Sequence, residues 1–166
     1  MAEKKEILKE RVEHSGLFDF PALYSFSHSW WAEGHYGINE DKYSEKVGGE
    51  KRDITVGWKA TKDISDYFKN EIIIKFVVIG LTDVEAEIEG EKKKMNKGNL
   101  IIELTGTLVK DKDGKWETSS FNRFWRDVYN KYVIPARIDR VEKTLKKDFR
   151  DFLEQVKAFL ELSGKR

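Results

Sequence analysis

Side chains able to do chemistry gather in four stretches of this chain. The first holds His28, Trp30, Trp31, His35 and Tyr36. It pairs two imidazoles, which ligate metals or carry protons, with rings that stack on a guest. A zinc-type centre needs three or four ligands. Histidines seven positions apart on a helix are separated by about 10 Å along its axis. They share an ion only if the helix stops before His35. These five residues are therefore read as a ligand- or partner-binding candidate, and no metal site is assigned. The plainer alternative is that they pack a helix onto a sheet.

The second stretch is the acidic row Asp83, Glu85, Glu87 and Glu89. On one strand face it would hold a cation or do acid–base work. Its plainer use is as a solvated face that discourages strand aggregation. The third is the lysine run Lys92, Lys93, Lys94 and Lys97, read as a loop and as the nucleic-acid-binding candidate, for RNA or phosphate. The plainer reading is a solvated turn. The fourth, Asp111-Lys112-Asp113-Gly114, lacks the third acid and the closing glutamate of a calcium loop and is read as a turn. The remaining histidine, His14, is expected in solvent. No glycine-rich phosphate loop, nucleophile elbow or zinc-protease signature occurs.

The elements that must carry these stretches follow from periodicity. Phe68, Ile72, Ile74, Phe76 and Val78 share one parity across Phe68–Ile79, as one face of a strand requires. Val84, Ala86 and Ile88 alternate with acids across Thr82–Glu89. Leu100, Ile102, Leu104 and Leu108 do so across Asn99–Val109. Gly80 and Gly90 are read as the turns between these strands, with Gly98 closing the longer loop. Tyr36–Val47 and Lys51–Ala60 read as a hairpin turning at Gly48–Gly49.

Phe20–Glu33 reads as a helix, with Pro21 in its first turn and Gly34 as its stop. Thr118–Ile134 reads as a second helix on its apolar stripe from Phe121 to Val133. Ala136–Leu162 reads as a third, with Leu145, Phe149, Phe152, Val156 and Leu160 on one face. The segment 1–16 reads as a frayed helix or tail, from the helical spacing of Ile7, Leu8 and Val12.

The expected fold is α+β: a five-stranded antiparallel sheet with one face covered by an N-terminal helix and two C-terminal helices. The 166 residues are read as a single domain. The absence of cysteine excludes disulfides, thiolate metal sites and a cysteine nucleophile. Net charge is +1 although 37% of residues are charged, which argues against a globally basic nucleic-acid binder. With no apolar leader or membrane-length run, a cytoplasmic location without membrane association is expected. High Lys and Glu with few Met and no Cys also suits a thermophile's surface.

A long amphipathic helix after a curved antiparallel sheet resembles, in layout, the helix-grip folds that enclose lipids or hydrophobic ligands. That resemblance implies a cavity between the sheet and the C-terminal helix. The leading expectation is a non-enzymatic binding or interaction module without a cofactor, whose partner is another protein or a second copy. The alternative is a carrier of an apolar small molecule. A hydrolase-like use of carboxylates with His28 comes third.

Overall fold

The computed structural model describes residues 3–65, 68–110 and 134–164. Strand β1 (Glu3–Phe18) leads into helix α1 (Phe20–Glu33). Strands β2 (Gly37–Gly48), β3 (Lys51–Asp63), β4 (Phe68–Ile88) and β5 (Glu91–Lys110) follow, and helix α2 (Ile134–Gly164) closes the described chain. The five strands form one antiparallel sheet in the order β1-β5-β4-β3-β2. The fold is thus broadly α+β, with two helices among the described residues. The helix expected over Thr118–Ile134 lies outside them, as does the turn at Asp111.

The apolar parity of β4 is obeyed: Ile72, Ile74, Phe76 and Val78 are fully buried. Opposite them stand Leu104, Ile102 and Leu100 of β5 and Ala60, Trp58, Val56 and Ile54 of β3. This core side of the sheet receives both helices. Across it, α1 buries Phe20, Leu23, Ser27 and Trp31. Along β1 and β5, α2 buries Leu145, Phe149, Phe152, Val156 and Leu160. Gly106 permits that approach, since a Cβ there would meet Leu8 Cδ2 and Phe149 Cζ at 3.0 Å and Leu145 Cδ2 at 3.1 Å.

Five sequence expectations are corrected. Residues 3–18 form β1 rather than a helix or tail. A bulge at Ile7 puts Leu8 and Val12 on the core side, opposite Gly106 and Ile102. An edge strand with a bulge does not show the two-residue alternation that marks a strand, so helical spacing was mimicked. His14, half-buried on this strand, sits with its ring 5.8 Å from Phe18 instead of in open solvent.

Gly80 is not a turn. With a φ of +67° it forms a bulge with Leu81, and the register passes from Ile79↔Asn99 to Thr82↔Lys97. Two expected strands are therefore one 21-residue strand. Lys92–Lys97 is not a loop but the first part of β5, paired with the acidic row. The reversal comes at Glu89–Gly90, whose φ values of +53° and +82° are those of a two-residue hairpin turn. Lastly, the first hairpin turns at Gly49–Glu50, one residue later than expected, since Gly48 pairs with Lys51.

The helix boundaries follow local chemistry. Asp19 caps α1 by accepting from the Ala22 N–H at 3.1 Å, and Pro21 occupies the first turn, where no donor is needed. At 31 residues α2 is about 46 Å long, and no described helix is long and apolar enough to cross a membrane.

Candidate functional site

Of the five aromatic and imidazole candidates in and just after α1, Trp30, Trp31 and Tyr36 meet in the core while His28 and His35 stay exposed outside it. Trp31 is wholly buried, its ring 5.1 Å from Phe152 and 5.2 Å from Tyr36. Trp30 is half-buried against the same Phe152 at 5.2 Å. Tyr36 is buried, and its hydroxyl accepts weakly from Asn70 Nδ2 at 3.5 Å while Lys62 Nζ lies 5.5 Å from its ring. Burial pushes the Tyr36 phenol up to about 12, and Asp148 on α2 adds to the rise. His28 is exposed and sets its ring against the edge of Trp58 at 5.5 Å. The helix does stop before His35, but that residue is exposed beyond the Gly34 cap, with a φ of +69°. Among the described residues, no three His, Asp or Glu side chains are placed to hold one metal ion.

The lysine and acidic stretches turn out to be partners. Lys92 stands opposite Glu87, Lys94 opposite Glu85 and Lys93 opposite Ala86. Directly opposed side chains on neighbouring strands lie about 5 Å apart at Cβ, so each run offsets the charge of the other. Lys97 alone joins other cations. It lines a shallow hollow on the far side of the sheet with Lys46 and Lys51. Asp53 of that hollow accepts from the Gly80 N–H at 2.9 Å and stabilises the bulge.

A smaller but more apolar hollow lies on the core side, under the first turns of α1. It has a volume of about 460 Å³. Ile54, Leu81, Phe20 and Pro21 supply its apolar surface, and Tyr24 and Tyr43 its aromatic walls. Three polar side chains meet it: Arg52, Asp83 and Asn96. They form one chain of bonds. Arg52 Nη2 donates to Asp83 Oδ1 at 2.8 Å, and Asn96 Nδ2 donates to the same oxygen at 2.9 Å. Asn96 Oδ1 in turn accepts from the Phe20 N–H at 2.9 Å, tying the start of α1 to β5.

The Gly80 bulge creates this arrangement. An extra residue in a strand moves every later side chain to the other face. Leu81 therefore continues the core side, 1% exposed, and Asp83 follows it there opposite Asn96. Val84 and Ala86, expected on the core side, are opposite Met95 and Lys93 on the far side.

Both tyrosine hydroxyls are engaged at the rim. Tyr24 donates to Glu40 Oε1 at 2.6 Å, and Tyr43 donates to Glu45 Oε2 at 3.3 Å. Burial raises the pKa of each phenol above 10.0, and the neighbouring carboxylate raises it further.

Sequence reasoning flagged Asp83 as one of an acidic row. It missed Arg52, Leu81 and Asn96. A lone arginine before an alternating strand has no pattern to distinguish it, and the other two depend on the bulge. Compared with protein-family models, curated proteins and solved structures, the chain gives no match in any of the three.

Proposed function

We propose that this protein is a non-enzymatic binding module that holds a small, largely apolar molecule in the hollow beneath the first turns of α1. The observation carrying this reading is the hollow itself. Its roughly 460 Å³ falls in the range of small-molecule sites. Its walls combine aliphatic surface, two tyrosines and a few oriented polar groups, which is the usual composition of such sites.

The helix-grip layout implies a ligand between the sheet and the long helix. Here that space is occupied by Trp31, Phe149, Phe152 and Val156, all fully buried. The guest is therefore assigned to α1's end of the same sheet face. A docking surface for a large partner has less support. Among the described residues the exposed large apolar side chains are split, with Tyr43 and Val47 on the core side of β2, Ile73 and Ile79 on the far side of β4, and Ile64 after β3, so they form no single patch.

Titration with the neutral fluorophore N-phenyl-1-naphthylamine tests the reading, with binding located by amide chemical shifts. Saturable binding is expected, with shifts at Tyr24, Tyr43, Ile54, Leu81 and Asn96. Non-saturable fluorescence, or shifts confined to Leu145–Leu160, would rule the site out.

A further inference from the structure

The sign of charge around the hollow narrows what it can hold. Arg52 is the only cation lining it among the described residues. That guanidinium is already held, with Asp83 at 2.8 Å on one side and Glu45 at 3.6 Å on the other. Glu45 and Glu40 also accept from the two tyrosines of the wall. A second hollow of about 340 Å³ adjoins the first and shares Pro21, Asp83 and Asn96 with it. It adds Asp19 and Glu85, with Lys94 as its one cation among the described residues. Three carboxylates, Asp19, Asp83 and Glu85, thus line the two hollows, and Glu40 and Glu45 lie behind the tyrosines and Arg52, against two cations among the described residues.

The helix start does not reverse this balance. A helix N-terminus attracts anions through unpaired backbone N–H groups. Here the Phe20 N–H donates to Asn96, the Ala22 N–H to the Asp19 side chain, and the Leu23 N–H to the Asp19 carbonyl at 2.9 Å, while Pro21 has none. The Asp19 carboxylate at the same point cancels the helix dipole. No donor there is left for a carboxylate or phosphate. Tyrosine rings in the wall, by contrast, attract cations through their faces.

We propose that the occupant of this hollow is an amphipathic cation: an apolar or aromatic body bearing a protonated amine that faces Asp83, Glu45 and Glu40. The inference rests on the small-molecule reading and adds the ligand's charge to it. Carboxylates whose hydrogen-bonding capacity is only partly used then receive the ammonium N–H groups, and the body lies on Ile54, Leu81 and Pro21.

Three probes with one aromatic body separate the two ideas: 2-naphthylmethylamine, 2-naphthalenemethanol and 2-naphthoate, titrated at pH 7 and low salt. Exposed or half-exposed charges contribute only modestly each, so the amine is expected to bind about tenfold more tightly than the carboxylate, with the alcohol between. This preference should shrink in 0.5 M salt, where the Debye length falls to about 4 Å. Asp83→Asn and Glu45→Gln, which keep their shape, should each weaken the amine about threefold and narrow its advantage over the alcohol measured on the same variant. If the alcohol binds but the amine is no tighter than the carboxylate, the charge inference falls and the binding module stands. If none of the three binds saturably, both fall.

Discussion

The core side of this sheet is used in two ways. At the end served by α2 and the C-terminal half of α1, large side chains fill the space. Trp31, Phe149 and Phe152 are fully buried against one another, and α2 approaches closely enough to require a glycine at position 106. At the other end the same face continues through Ile54 and Leu81; among the described residues the first turns of α1 stand over it, and a hollow remains beside them. Strand β4 has 21 residues, about 70 Å of chain along its bent path, whereas the 14 residues of α1 span about 21 Å. Beyond the helix the floor is closed by side chains instead: Ile54 and Leu81 are only 3% and 1% exposed, with Phe20, Tyr24 and Tyr43 around the hollow.

Polar groups differ between the two ends in the opposite sense. In the filled region Ser27 Oγ, Trp31 Nε1 and Asn70 Oδ1 are buried without a partner among the described residues. At the hollow, Arg52, Asp83, Asn96 and the Phe20 N–H are joined in one network. Tight packing can carry a few unpaired polar atoms because dispersion and apolar burial outweigh them. At an open site water can satisfy such groups, so these bonds orient the side chains and tie α1 to β5 without rescuing buried polar atoms.

The largest effect that would test this contrast is in the filled region. Phe152→Ala removes a ring in contact with both Trp30 and Trp31 and is expected to cost about 3–5 kcal/mol in urea unfolding. A loss below 1 kcal/mol would show that the region is not tightly packed. Next is the buried phenol of Tyr36, raised from 10.0 to about 12. Its folded form holds the proton more strongly than the unfolded chain does. The stability it contributes is complete below pH 10 and is lost as pH rises from 10 through 12. The total is on the order of 3 kcal/mol. Unfolding free energies of Tyr36→Phe should lack that share of the alkaline decline; parallel pH curves for the two proteins would refute the burial. The smallest effects belong to the open end. Asp19→Ala removes the cap of α1 and should cost about 1 kcal/mol. Tyr43→Ala, at a residue 54% exposed, should stay within about 0.5 kcal/mol while weakening binding of the neutral fluorophore. A stability loss at Tyr43 as large as at Phe152 would mean that the two ends are not different in kind.

Wherever one rule governed a stretch without interruption, the chain was legible as a string of residues. The parity of Ile72, Ile74, Phe76 and Val78, the stripe from Leu145 to Leu160, and the limits of α1 at Asp19, Pro21 and Gly34 each follow from local geometry and hydrogen bonding. Antiparallel pairing and an α+β arrangement came with them. The hollow did not. It depends on one bulge at Gly80–Leu81, which turns Asp83 toward the core side and brings Lys94 opposite Glu85. A glycine suited to positive φ reads equally as a turn or as a bulge. Whether the strand reverses or merely bends is settled by the partner strand that continues past it, and that partner lies more than fifteen residues away. Long-range pairing, absent from any local window, thus placed Arg52, Asp83 and Asn96 in one network.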